Sequence, residues 1–305
     1  MKIDELRNLQ PQVFERFESI LAQNKLNHAY LFTGNFASFD MAQTIAKSRF
    51  CQDKKGIWPC GECRACRLIA EEDFSDVIVV RPQNQIIKTE RVRELLKNFS
   101  QSGVEGNEQV FIICEAEKMH INAANSLLKV IEEPQSEVYI FLLTSDENLI
   151  LPTIKSRTHV FHFPKNEPYL SSMLENAGML KDQASLLAAF SQTLEEAESL
   201  QSSQFFFDLV GLSQRFVELC LSRNDMAFLQ VAKLTSLLDD KKKQDQAFRI
   251  LEILFYQQIQ TALGRTCLDG LFHARKMWQA NVSFQNALEY MVLQSIERDN
   301  RSIYG

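Results

Sequence analysis

Five short apolar runs between Ala29 and Phe163 limit what this chain can fold into. They are Ala29–Thr33, Val77–Val80, Val110–Cys114, Val138–Thr144 and Val160–Phe163, rich in β-branched or aromatic residues and mostly bounded by polar or turn residues. Such runs read as strands of a parallel sheet buried on both faces. Stretches of helical spacing separate them. Val13, Phe14, Phe17, Ile20 and Leu21 form one apolar helical face, and Val92, Leu95, Leu96 and Phe99 form another. Strand and helix in alternation imply a doubly wound α/β sheet.

The strand signal fades after Phe163. Pro164 and Pro168 mark a junction, and the spacing beyond it is helical nearly throughout. A short helical unit is expected over 168–200, with Ser202-Ser203 as a weak boundary. Phe206, Leu209, Val210, Phe216, Val217 and Cys220 then fall on one stripe. Phe248, Leu251, Ile259 and Leu263 fall on a second, and Phe284, Leu288, Met291 and Val292 on a third. This half is expected to be a helical bundle. A length of 305 residues leaves room for more than one domain. The net charge of -6 excludes a polycationic nucleic-acid binder. Arg81, Lys88, Arg91, Arg93 and Lys97 read as a solvated helix face. The amino-terminal stretch MKIDELRNLQPQ has no apolar signal core, and no apolar run approaches a membrane span, so the cytosol is the expected compartment.

In that compartment seven cysteines argue for thiols or metal rather than disulfides. Cys51, Cys60, Cys63 and Cys66 share one insertion, CQDKKGIWPCGECRAC. Four thiolates at this spacing can close a tetrahedron around structural zinc, leaving no open position for catalysis. A cluster of reduced thiols and an iron–sulfur cluster are the alternatives. The latter lacks the usual Cys-Pro ending, because Arg67-Leu68 follow Cys66. Cys114, Cys220 and Cys267 sit in apolar contexts and read as small core residues.

Four strings then occur in a telling order: NHAYLFTG at 27–34, the cysteine insertion, NAANSLLKVIEEP at 122–134, and LPTIKSR at 151–157. In order and spacing they resemble the bacterial clamp-loader subunits of DNA polymerase III, within the AAA+ ATPase superfamily. The resemblance is close over about the first 165 residues and looser to the C-terminus. It implies an AAA+ RecA-like domain over 1–163 with a zinc module at about 51–66, a small helical lid domain over 164–203, and a helical collar domain for oligomerisation over 204–305.

The family has a motor branch, tau/gamma, and a non-hydrolysing branch. In the motor branch the loop after the first strand resembles G-x-x-x-x-G-K-[ST]. Its glycines let backbone N–H groups surround the phosphates, its lysine neutralises them and its hydroxyl holds Mg²⁺. Aligned from Gly34, the second glycine falls on Phe39, the lysine on Asp40 and the hydroxyl on Met41. Phe39 crowds the backbone approach, Asp40 repels phosphate and Met41 cannot ligate magnesium. On the strand VFIIC the first Walker B acid falls on Cys114, and only Glu115 remains. Thr144-Ser145 occupies the polar sensor position, where its hydroxyls are expected to cap the strand end. The chain thus resembles the non-hydrolysing branch, and no bound nucleotide is expected.

In this family a Ser-Arg-Cys motif sends its arginine across a subunit interface to a neighbour's ATP. This sequence keeps Ser156 and Arg157 and has Thr158 for the cysteine. The resemblance therefore makes Arg157, supported by Ser156, an arginine finger for an adjacent tau/gamma subunit. It implies tau/gamma and delta as partners, the sliding clamp and primed DNA through the complex, and no enzymatic activity of the chain alone. In NAANSLLKVIEEP, Ala123, Ala124, Leu127, Leu128 and Ile131 form an apolar helical face, with Pro134 as the stop. Asn125 and Lys129 are assigned no contact. An active AAA+ ATPase and a zinc-stabilised adaptor outside replication stay open as alternatives.

Overall fold

The structure, a computed structural model, describes residues 1–92, 94, 108–133 and 137–297. Leu95, Leu96, Phe99, Arg93, Lys97 and Pro134, named above, lie outside the described residues. The chain forms two compact units. One comprises Met1–Leu170 with Gln192–Leu194, and the other Ser171–Ser191 with the described residues from Glu195 onward.

The first unit is built on a five-stranded sheet in the order β2-β3-β4-β1-β5. Its strands are β1 Ala29–Thr33, β2 Val77–Val80, β3 Glu108–Ile113, β4 Glu137–Thr144 and β5 His159–His162. Every pairing is parallel. The five apolar runs are these strands, with bounds shifted by a residue or two at β3, β4 and β5. Side chains alternate across each strand, so the sheet has two different faces. Leu31, Phe111, Ile113, Ile140 and Leu142 join Ala123, Ala124, Leu127 and Ile131 of the helix Ile121–Glu132 in one core cluster. The opposite face is aromatic. Phe17, from the helix Pro11–Ala22, packs at a tilt or edge-on against Tyr30, Phe32 and Phe161 at centroid distances of 5.4, 5.5 and 4.5 Å. Both faces are dry, which is why the strands lack a polar alternation.

All strands run the same way, so their C-terminal ends define one edge of the sheet. Gly34, Arg81, Cys114 and Ser145 each follow a strand directly and share that edge. In open α/β sheets, ligands bind outside this edge. The segments that precede β4 and β5 lie at the opposite edge.

The second unit is helical. Its long helices are Gln204–Leu221, Met226–Leu237, Lys241–Tyr256, Ala262–Gln279 and Phe284–Glu297. Four of them start at side-chain caps, where Ser203, Asp240, Thr261 and Ser283 accept from the backbone N–H groups of Phe206, Lys243, Gly264 and Asn286. The stripes read from the sequence face inward: Phe206, Leu209, Phe216, Phe248, Leu251, Phe284, Leu288 and Met291 are all buried. Ile259 falls in the turn between two helices, so the stripe through Phe248 and Leu263 spans both. Arg275 links two turns of the helix Lys241–Tyr256, at 2.7 Å from Asp245 and 3.2 Å from Glu252. No helix among the described residues is long and apolar enough to cross a membrane.

Candidate functional site

The loop after β1 is packed with its own side chains. Gly34 has φ +91°, and a Cβ there would meet the Phe163 carbonyl oxygen at 2.4 Å. Glycine is required at that position by both conformation and space. The Gly34 N–H donates to Thr144 O at 2.9 Å, which ties the loop to β4. Phe36 is buried at 2% exposure, where a cradle would need open backbone. Its carbonyl oxygen accepts from Gln10 Nε2 at 2.9 Å. Ala37 adopts a left-handed conformation and starts the helix Ser38–Phe50. Met41 is fully buried. Asp40 lies 3.4 Å from the Met1 amino nitrogen.

The neighbouring strand ends complete this edge. The Arg81 guanidinium lies 5.1 Å over the Phe39 ring and donates two bonds to Glu72, at 2.5 and 2.7 Å. Arg81 therefore follows β2 and is no part of a helix face, which corrects its reading as a solvated helical charge. Cys114, which the resemblance aligns with the first Walker B acid, follows β3 directly. Burial pushes its thiol up to about 11, against the opposing pull of Arg81. It is a neutral group where a magnesium ligand would need charge. Glu115 has φ 51° and pairs with Lys118. Thr144 Oγ1 donates to Asp146 O at 3.0 Å and accepts from Asp146 N at 3.3 Å, and Ser145 Oγ donates to Glu117 at 2.9 Å. The hydroxyls cap the strand end.

The four cysteines Cys51, Cys60, Cys63 and Cys66 come together, with all sulfurs within 4.8 Å of one another. Three of the separations are 3.5, 3.9 and 4.0 Å. A tetrahedron with metal–sulfur bonds of about 2.3 Å has edges of about 3.8 Å. The N–H groups of Cys60, Glu62 and Cys63 approach sulfurs at 3.3, 3.4 and 3.3 Å, the support that thiolates need. Burial opposes ionisation of Cys63, but donation from the Cys66 backbone and the neighbouring thiols brings it down to about 7, whereas burial pushes the thiols of Cys51 and Cys66 up. This donor set fits a closed metal site. Trp58 fastens the module to the helix Pro11–Ala22: its ring stacks on Phe14 at 4.3 Å and its Nε1 donates to Glu18 at 3.2 Å.

Arg157 stands at the opposite edge of the sheet, just before β5. That strand alone puts about 10 Å between the two edges, at about 3.3 Å per residue. Arg157 therefore lies away from the loop after β1. Its Nε donates to Glu132, and its Nη1 donates to Thr153 O at 3.1 Å and Ser156 Oγ at 3.2 Å. Thr158 turns its hydroxyl inward to Ile154 O, at 3.0 Å. The Arg157 side chain is 40% exposed. Asn125 and Lys129 are exposed on the helix Ile121–Glu132.

A family model described as DNA polymerase III, delta subunit, matches residues 9–167, just over half of the chain. DNA polymerase III subunit delta' of Bacillus subtilis (strain 168) is 27% identical over 95% of this chain and 97% of its own. The chain belongs to the delta-prime family of DNA polymerase III subunits. Delta' of Pseudomonas aeruginosa is 36% identical over 43% of this chain and 41% of its own. DNA polymerase III subunit tau/gamma of Haemophilus influenzae is 36% identical over 47% of this chain and 21% of its own. In this delta-prime family member Phe36 and Met41 are buried at the edge that follows the strands, and the half-buried Phe39 lies under the Arg81 guanidinium. Neither Gln10 nor Arg81 was legible as part of that packing. The only signal for Arg81 was its place directly after an apolar strand.

Proposed function

We propose that this chain is the non-hydrolysing delta-prime subunit of a clamp loader, which helps to place a sliding clamp on primed DNA. The division of its two sheet edges carries the reading. The edge that would bind nucleotide is filled by its own side chains, and the opposite edge offers the half-exposed guanidinium of Arg157. The chain lends chemistry to a neighbour and keeps none for itself. An adjacent tau/gamma subunit would bind ATP, and Arg157 would approach its phosphates from across the interface. A planar guanidinium can bridge phosphate oxygens as negative charge shifts toward the leaving group, and so stabilise the transition state more than the bound ATP. Ser156 Oγ, which donates to Thr153 O at 3.1 Å and accepts from Arg157, supports the turn that presents it.

The remaining parts follow from the same reading. Cys51, Cys60, Cys63 and Cys66 hold one structural zinc ion, which fastens the module over about 51–66 to a RecA-like AAA+ domain spanning 1–163. Residues 164–203 act as a lid domain, and the helices of 204–305 form a collar that joins the subunits. The working compartment is the cytoplasm. The test is reconstitution of the full chain with tau/gamma and delta, read by mass and by transfer of a labelled clamp to primed DNA. A single complex that needs this chain to load clamps supports the reading. Full loading by tau/gamma and delta alone, with this chain outside the complex, would refute it.

A further inference from the structure

We propose that Glu132 is a positioning residue for Arg157; the inference rests on the reading of Arg157 as a guanidinium supplied to a neighbouring ATP. The two residues are 25 positions apart and meet at the sheet edge away from the closed cradle. Glu132 is the last residue of the helix Ile121–Glu132, whose apolar face is locked into the core by Ala123, Ala124, Leu127 and Ile131. Its carboxylate therefore starts from a rigid base. It takes the Nε–H of Arg157, while Thr153 O and Ser156 Oγ take Nη1. Nη2 has no hydrogen-bond partner among the described residues. The guanidinium is anchored through Nε and Nη1.

Both side chains are about half exposed, at 40% and 47%. An ion pair this open to water adds little to folding stability. Its effect is on the freedom of a long side chain. A flexible arginine loses rotamer entropy on docking and samples poor geometries, and small misplacement of a catalytic group is costly in rate. Glu132 removes that freedom in advance. Its negative charge also offsets part of the attraction of Arg157 for bound ATP, so its benefit falls on kcat rather than on KM. Glu133, next in sequence and also exposed, makes no ion pair among the described residues and serves as a control.

The experiment uses complexes reconstituted from full-length chains and reads clamp- and primed-DNA-stimulated ATP hydrolysis. Arg157→Ala sets the loss that depends on this guanidinium. Glu132→Gln should lower kcat by at least half of that loss on a logarithmic scale, with KM for ATP within about twofold of wild type, because the contact acts on orientation. Glu133→Gln should match wild type. In the Arg157→Ala background, Glu132→Gln should change nothing further, an outcome that general damage to the fold does not produce. A Glu132→Gln complex as fast as wild type or faster, or one that loses the same factor without Arg157, overturns the proposal. Wild-type rates with Arg157→Ala would instead remove the finger reading beneath it.

Discussion

The side chain of Gln10 donates to the main-chain oxygen of Phe36 at 2.9 Å, and the same nitrogen donates to Pro164 O at 2.7 Å. One buried amide thus joins the first helical segment, the closed loop after β1 and the strand exit after β5. The Phe36 carbonyl is held inward and the Phe36 ring is packed at 2% exposure. The loop is a structural joint.

Removing that amide should cost stability. Gln10 is 2% exposed, so Gln10→Ala leaves two carbonyl oxygens without this donor in a dry setting. The expected loss is about 1–3 kcal/mol, read as a lower urea midpoint with an unchanged slope. A midpoint equal to wild type would show that the joint does not hold the first unit together.

Restoring the motif residues should not restore nucleotide binding. Phe39→Gly, Asp40→Lys and Met41→Thr together rebuild the motif, yet Phe36 and Gln10 still close the loop. A ligand at 100 times its dissociation constant stabilises a protein by about 2.7 kcal/mol, on the order of 5–10 °C in Tm for a domain of 150–250 residues. Neither wild type nor the triple variant should show that rise with Mg-ATP. A clear rise in the wild type would contradict the closed-cradle account, and one in the triple variant alone would put the whole block on three residues.

The strands were legible because a sheet buried on both faces leaves an unbroken apolar signature, as in Ala29–Thr33. The helical stripes were legible for the same kind of reason, since Phe206, Phe216 and Cys220 repeat at a local period. Contacts that close the candidate site had no such period. Gln10 reaches Phe36 across 26 positions and Pro164 across 154, and a glutamine carries no local mark of a distant acceptor. Glu132 carries no local mark of its partner, and only the folded edge brings it to Arg157. Phe36 sits inside a motif whose key positions lie elsewhere, so its closure of the loop depended on where its ring packs.

The cysteine module should bind one zinc per chain. Cys63→Ser removes a soft ligand and should release the metal. The loss should appear as a change in emission from Trp58, which packs on Phe14, while Trp278 in the helical unit is unchanged; Trp58→Phe and Trp278→Phe backgrounds separate the two signals. Zinc affinity should also fall as pH drops, because protons compete for the thiolates. Elemental analysis that finds iron, or no metal in folded protein prepared without chelator, would refute the assignment.

The division of labour between the two sheet edges is tested most directly by Arg157→Ala in the reconstituted complex. Arg157 is exposed and contributes little to the core, so the variant should fold and assemble like wild type. Clamp- and primed-DNA-stimulated ATP hydrolysis should then fall severalfold with little change in ATP affinity. An arginine finger in GTPases is worth roughly 10³–10⁵ in rate at its own site, and the remaining motor sites would keep the total above that floor. Arg157→Lys should recover only part of the rate, because an ammonium keeps the charge without the planar fork. Equal hydrolysis by correctly assembled wild-type and Arg157→Ala complexes would contradict the account and leave the chain a scaffold alone.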